Sequence, residues 1–155
     1  GLPRAMRYSW PMPIVASIGG NTGNQTAALV IRGLALEQIV ASSLWLVVRK
    51  ELAIAGVNGL LWGSVVALAA MLFYRQPALS LVMGIAVAAN LLIASLAGVF
   101  IPVALKQAGR DPVLGSSVLL TFVTDAMGFL VFLGLAAWWI VGWERRAGDK
   151  MRISS

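Results

Sequence analysis

The sequence predicts an all-α integral membrane protein with four transmembrane helices and a short amphipathic connector. Three observations lead to this fold class. The mean hydropathy of the 155 residues is +0.86, charged residues make up only 12% of the chain, and long apolar runs alternate with short charged segments. Because ordinary soluble domains contain about 25% charged residues, the composition excludes that class and predicts a multi-pass protein of the cell membrane.

The three clearest spans are residues 52–74, 78–105 and 113–142. Each is apolar over at least the roughly 20 residues that a helix needs to cross the hydrocarbon core of a bilayer. Residues 75–77 (RQP) form a tight turn between the first two spans, and residues 106–112 (KQAGRDP) separate the second from the third. These short polar segments mark the loops.

A fourth span over residues 11–36 is weaker, because the stretch GGNTGNQT at 19–26 interrupts its apolar residues. Residues 37–50 are amphipathic and too short to cross a bilayer, which predicts a connecting helix in the membrane interface. The domain organisation is therefore an N-terminal flank at 1–10, a transmembrane domain at 11–143 and a charged C-terminal tail at 144–155.

The residue types that are missing restrict the chemistry. The chain has no cysteine and no histidine, so disulfides, thiolate or imidazole metal sites and histidine acid–base catalysis are excluded. Any metal ion must be held by oxygen. The formal charge of +6 is spread over loops without the basic stripe and interleaved aromatics of a nucleic-acid binder, so lipid is the expected surrounding and nucleic acid is not a partner.

Asp125 is the acidic residue deepest in an apolar span. Twelve residues of the 113–142 span precede it and seventeen follow it. A carboxylate at that depth costs several kcal/mol unless it faces protein or water, so it indicates a functional site. The alternative is a buried polar residue bonded to a neighbouring helix. Four small or polar residues share its helical face by their spacing: Ser117, Thr121, Thr124 and Gly128.

The stretch at 19–26 offers amide oxygens from Asn21, Asn24 and Gln25. Its glycines soften the backbone, which would let carbonyl groups approach an ion or the water around it, and such backbone occurs at membrane depth only where it is buried or lines a watery cavity. Three alternatives are a surface loop, a phosphate-binding loop that lacks its lysine, and a glycosylation sequon at 24–26.

Two further features concern helix packing. Gly59 with Gly63, and Ala94 with Gly98, have the small-xxx-small spacing that lets membrane helices approach closely, although glycine and alanine are also simply frequent in such helices. Asn90, midway along the 78–105 span, favours an interhelical hydrogen bond over a role as an ion ligand. An enzyme is not expected, because no nucleophile and base accompany Asp125.

Three segments in order carry a family resemblance: MPIVASIGGNTGNQTAALVIRGLAL, then RKEL, then DPVLGSSVLLTFVTDAMGFLVFLGLA. They closely resemble the transmembrane domain of the MgtE family of magnesium channels and transporters, over about residues 11–142. The resemblance implies a homodimer with five helices in each subunit and a pore between the second and fifth helices. The four spans correspond to helices two to five, so the first helix of the family fold is missing.

The resemblance also implies roles for single residues. The family's ion-binding aspartate, in a T-D-x-x-G motif, corresponds to Asp125, so Mg²⁺ is the transported ion and paired Asp125 carboxylates hold it through its retained waters. Mg²⁺ dehydrates reluctantly and prefers six oxygen ligands, which suits a wide ring of oxygens. The expected pore-lining residues are Asn21, Asn24, Thr121, Thr124 and Gly128.

Two alternatives to a dimeric Mg²⁺ pore stay open. The first is a proton-coupled or ion-coupled carrier of divalent cations, in which Asp125 binds protons and cations in turn. The second is a non-conducting, truncated subunit that needs a partner or an N-terminal region. Such a region would supply the first helix and the regulatory CBS modules that family members commonly carry.

Overall fold

The computed structural model describes residues 11–39 and 42–153, and its regular secondary structure in these ranges is entirely helical. The helices are α1 (Pro11–Ala35), α2 (Leu44–Tyr74), α3 (Pro77–Gln107) and α4 (Pro112–Ile153). By length and composition α2, α3 and the part of α4 from Pro112 to Trp139 can each cross a membrane. The predicted all-α membrane class is confirmed.

The connector differs from the prediction. Residues 44–50 are the first two turns of α2, which runs without a break to Tyr74. Among the described residues of the predicted connector, 37–39 and 42–50, there is no separate helix. The reason is local: no glycine or proline occurs between Leu44 and Gly56, so nothing in the sequence ends a helix there. The chain instead turns at Glu37, whose φ of 55° lies in the left-handed region.

Helix α3 is the centre of the domain. It packs against α1, α2 and α4, whereas α2 packs chiefly on α3. In the most apolar part of α3, 56% of the residues are buried, compared with 17% in α2 and 22% in the apolar part of α4. The outer faces of α2 and α4 therefore present apolar side chains to their surroundings, as expected for helices in contact with lipid.

The contact between α2 and α3 depends on glycine. A Cβ atom added to Gly63 would lie 2.7 Å from the carbonyl oxygen of Gly84, and one added to Gly59 would lie 3.3 Å from Cα of Ala88. Any side chain at Gly63 would therefore push the two backbones apart. This confirms the first predicted small-residue pair as a packing contact.

A similar contact joins α1 to α3. A Cβ atom added to Gly98 would lie 2.7 Å from the carbonyl oxygen of Gly23 and 2.8 Å from Cβ of Thr26. From the other side, a Cβ atom on Gly23 would lie 3.1 Å from the carbonyl oxygen of Ala94. The second predicted pair is thus also a packing contact, and it holds α1 directly against the central helix.

Two polar contacts tie α1 to the rest of the domain near its C-terminal end. The Lys106 ammonium donates to the carbonyl oxygen of Leu34 at 2.9 Å, which the Glu37 N–H also reaches at 3.4 Å. This bond places a cation at the negative end of the helix. The Thr26 hydroxyl donates to Oε2 of Glu51 at 3.0 Å. Together they fix α1 relative to α2 and α3.

Candidate functional site

The stretch GGNTGNQT lies within the uninterrupted helix α1. Its glycines face neighbouring helices: Gly19 packs against Asn90, a Cβ on Gly20 would lie 3.5 Å from Oγ1 of Thr124, and Gly23 packs on α3 as described above. The expectation that these glycines open the backbone toward an ion is therefore wrong. Close packing, which leaves no room for a Cβ at Gly19, is the physical reason for the glycine there.

The opposite face of α1 is exposed, and polar side chains lie on it beside apolar ones. Ser17, Asn21, Gln25 and Arg32 are all exposed, and their spacing of four, four and seven residues places them on one stripe of the helix. Asn24 is half-buried, and its side-chain nitrogen donates to the carbonyl oxygen of Gly20 at 3.0 Å. The same eight residues thus supply a packing face and a polar face, with Asn21 on the polar face.

Asp125 lies in an open groove of about 650 Å³. The carboxylate-bearing residue is half-buried, and the Thr121 hydroxyl beside it donates to the carbonyl oxygen of Ser117 at 2.9 Å. All the residues that line the groove belong to α4, so its other side is open. The lining residues are Ser117, Val118, Thr121, Phe122, Asp125, Ala126 and Phe129.

The groove has a polar and an apolar side, and Asp125 lies between them. At about 100° for each residue of an α-helix, Thr121 lies about 40° from Asp125 in the direction of α1. Phe129 and Phe122 lie about 40° and 60° from it in the other direction. The two phenylalanine side chains are 37% and 72% exposed. The carboxylate is therefore bordered by a hydroxyl strip and by an aromatic strip.

Among the predicted pore-lining residues, Thr121 lines the groove, whereas Asn21 and Asn24 of α1 and Thr124 and Gly128 of α4 do not. Thr124 is completely buried, and its hydroxyl donates to the carbonyl oxygen of Thr121 at 3.2 Å. Gly128 is also buried, and a Cβ atom there would lie 3.3 Å from Cα of Ala16. Since α1 covers this edge of α4, the helical face that the sequence spacing defines is divided into a covered part and an open part.

Asn90 has the interhelical role that its sequence position favoured. Its side chain is completely buried, and Nδ2 donates to the carbonyl oxygen of Val15 at 2.9 Å. This bond joins α3 to α1. We call the contact formed by Asn90, Gly19, Gly20, Thr124 and Gly128 the junction.

The donor set of the groove suits a cation that keeps its water. Among the described residues, no three acidic side chains converge as metal ligands, and Asp125 alone offers two carboxylate oxygens. A hard divalent cation needs six or more oxygen ligands. Water and the neighbouring Thr121 and Ser117 hydroxyls would have to supply what the carboxylate does not.

Several polar residues have positions in the structure that the sequence did not predict. Ser17 and Arg32 lie on the exposed stripe of α1. If residues 11–36 are treated as one helix, their spacing from Asn21 predicts that they share its face. Glu51, the partner of Thr26, gave no such signal, because its contact joins residues 25 positions apart.

Comparison with known proteins identifies what the chain is similar to. A family model described as MgtE, a divalent cation transporter, matches residues 12–135. The protein named magnesium transporter MgtE from Thermus thermophilus is 32% identical over 125 residues, which are 81% of this chain and 28% of that protein. The protein of the same name from Bacillus subtilis is 27% identical over 135 residues, which are 87% of this chain and 30% of that protein. The chain thus spans less than a third of the length of these relatives.

Proposed function

The chain belongs to the MgtE family of divalent cation transporters, and from this premise we propose that it forms half of a pore that conducts hydrated Mg²⁺. The ion is proposed because the similar proteins bear the name magnesium transporter. Since the chain covers only 30% and 28% of those two proteins, transport by this chain alone is part of the proposal.

The observation that carries the proposal is the open position of Asp125 in an apolar helix. A charged aspartate at the centre of a membrane helix costs about 2.5–3.5 kcal/mol on insertion scales. Water or a cation in the groove would offset this cost. The Thr121 and Ser117 hydroxyls beside Asp125 add acceptors and donors that can order such water.

The groove supports a second copy of the chain as its missing wall. Every lining residue belongs to α4, so one subunit supplies only one side of a path. Two Asp125 carboxylates that face each other carry two negative charges and repel when no cation is present, and one Mg²⁺ ion neutralises both. In this arrangement the aromatic strip of Phe122 and Phe129 meets the second subunit, while Thr121 and the Asn21 stripe of α1 border the water.

The proposed mechanism keeps the ion hydrated. Mg²⁺ demands octahedral coordination at about 2.0–2.1 Å and gives up its waters reluctantly. Carboxylate, hydroxyl and amide oxygens that accept hydrogen bonds from those waters hold the ion without stripping them. Binding through water is weak enough for the ion to leave, which conduction requires. Asn21 and Gln25 would receive the ion at further positions along α1.

The experiment that tests this proposal is Mg²⁺ uptake into vesicles with the purified chain, measured with an indicator inside. We expect Asp125→Asn to slow uptake by at least tenfold, because changing the ligand itself should cost no less than the roughly 10–100-fold typical when only a ligand's outer partner is lost. Asp111→Asn is the matched control. Asp111 is exposed in the loop before α4, and its Oδ1 accepts from the Val113 N–H at 2.8 Å, a bond that asparagine keeps.

Two results would contradict the proposal. One is equal uptake by wild type and Asp125→Asn, which would remove Asp125 from the ion path. The other is uptake by the wild-type chain no faster than by protein-free vesicles, which would reject conduction by this chain.

A further inference from the structure

We propose that Asn90 is a positioning residue for the Asp125 site: it holds the turn of α4 that carries Asp125 at a fixed distance from α1. This inference rests on the proposed function, because it assigns Asn90 a part in ion binding at that same site. Asn90 itself lies on α3 and is completely buried, so it acts through the helices that it joins.

The Asn90 carboxamide is wedged between α1 and α4. On one side it packs against Gly19 of α1 so closely that a Cβ there would overlap it. On the other side a Cβ atom on Gly128 of α4 would lie 3.0 Å from its Nδ2. The same Nδ2 donates to the carbonyl oxygen of Val15. One side chain therefore contacts both helices, and glycine on each side brings their backbones up to it.

These contacts bracket Asp125 along α4. Gly128 follows Asp125 by three residues, and Thr124, which faces Gly20, precedes it by one. Both contacts lie on the α1 side of α4, so the backbone of this turn is fixed on that side, while Asp125 borders the groove. A shift of Gly128 away from the Asn90 wedge would carry the Asp125 backbone with it, because one helical turn moves as a unit.

The energetics of Asn90 favour a positioning role over a purely stabilising one. Its Oδ1 is buried and has no hydrogen-bond partner in the described parts of the chain. An unsatisfied buried polar atom costs more free energy than an average intramembrane polar contact returns. An apolar residue of similar volume would avoid the cost, but it could not bind the Val15 carbonyl and so fix α1 in register.

The position of α4 matters more if two subunits share the ion site. If two copies of Asp125 face each other across the path, a displacement of α4 in each subunit changes the carboxylate separation twice. Binding sites generally require their groups to be held within about 0.5 Å. A small error in the α1–α4 contact is therefore doubled at the ion.

The test is the Mg²⁺ concentration that gives half-maximal uptake in vesicles, with the amount of inserted protein measured in parallel. We expect Asn90→Ala to raise this concentration about tenfold, as when the outer partner of a metal ligand is lost. Ser95→Ala is the matched control, because Ser95 is also buried in α3 and its hydroxyl has no hydrogen-bond partner among the described residues. It should leave the concentration nearly unchanged, because alanine loses no hydrogen bond that this hydroxyl makes in the described parts of the chain.

A second variant changes the contact between Asn90 and α4 from the α4 side. Gly128→Ala places a Cβ 3.0 Å from Nδ2 of Asn90 and should also raise the half-saturating concentration. Combined with Asn90→Ala, the added methyl group enters the space that the carboxamide leaves. We expect the double variant to bind Mg²⁺ better than the sum of the two single effects predicts, which is the signature of residues in contact.

The outcomes separate this inference from the proposed function. The positioning role is overturned if Asn90→Ala leaves the half-saturating Mg²⁺ concentration unchanged. The same holds if the variant lowers only the amount of folded protein and the maximal uptake rate. If Asn90→Ala does not insert into the membrane, the half-saturating Mg²⁺ concentration of Gly128→Ala tests the positioning role instead. Equal uptake by Asp125→Asn and wild type would instead reject the site, whatever the Asn90 variants do.

Discussion

The groove and the junction lie on two sides of the same stretch of α4, and each contains one threonine of that stretch. Thr121 and Thr124 both donate to carbonyl groups of their own helix, at 2.9 and 3.2 Å. Thr121 is exposed in the groove, whereas Thr124 is completely buried in the junction. The difference shows that a polar residue in a membrane helix takes its role from whether a neighbouring helix covers it.

The two sides also satisfy their polar groups differently. In the junction, the Asn90 side-chain nitrogen reaches a backbone carbonyl of α1. In the groove, the Asp125 carboxylate has no protein partner within the described residues. An uncompensated carboxylate at membrane depth is costly, so the groove needs water, a cation or a second subunit, whereas in the junction the protein itself supplies the partner of the Asn90 nitrogen.

The largest effect should come from filling the packed contact between α1 and α3, which also holds α1 in place at the junction. Gly98→Ala places a Cβ 2.7 Å from the backbone oxygen of Gly23, and backbone cannot move away as a side chain can. We expect a loss of about 1–3 kcal/mol in the free energy of unfolding, as for other overpacked cores. Thermal unfolding in detergent, followed by tryptophan fluorescence, measures it.

Gly134→Ala is the control for this prediction, because Gly134 lies in α4 with nothing within 4 Å of an added Cβ. Alanine should be neutral or slightly stabilising there. Equal unfolding temperatures for the two variants would show that the α1–α3 contact is looser than the structure indicates.

The next effect concerns the polar stripe of α1. Asn21→Leu replaces an exposed amide that borders the proposed path, and we expect Mg²⁺ uptake to fall about two- to tenfold, the factor that corresponds to one net hydrogen bond of about 0.5–1.5 kcal/mol. Ala28→Leu, at an exposed position two turns later, should matter less because no polar group is lost. If both variants transport like wild type, the stripe does not border the path.

The smallest expected effect is none. In a pore, an imposed proton gradient should leave the initial rate of Mg²⁺ uptake unchanged at constant membrane potential, because no proton needs to move with the ion. A coupled carrier that loads Asp125 with protons and cations in turn would respond to the gradient. Uptake that the proton gradient accelerates would therefore contradict a pore and favour a coupled carrier.

Much of the fold could be predicted from the sequence. Hydropathy located α2, α3 and α4, because a bilayer requires a long apolar run for each span. The intramembrane charge of Asp125 marked the candidate site by itself, and the spacing of Gly59 with Gly63 and of Ala94 with Gly98 located two real helix contacts. These features are local, and local features can be read from residue type and spacing.

What the sequence could not predict depends on how helices cover each other. Spacing placed Thr121, Thr124 and Gly128 on one face, but only the position of α1 separates the exposed residue from the two buried ones. The start of α2 at Leu44 was also not predicted. The amphipathic residues 37–50 were interpreted as one separate helix, whereas residues 44–50 continue directly into the following span. The bond from Thr26 to Glu51 joins distant residues and leaves no local pattern.

The most direct test of the central claim, that the Asp125 groove is a water-filled ion path and the junction is closed, compares two single cysteines. The chain has no cysteine of its own, so Thr121→Cys and Thr124→Cys each give one thiol. We predict that a membrane-impermeant thiol reagent modifies the first and not the second, and that Mg²⁺ slows the modification. Equal rates for the two positions, or a Thr121→Cys thiol that stays unmodified because it faces lipid, would contradict the account.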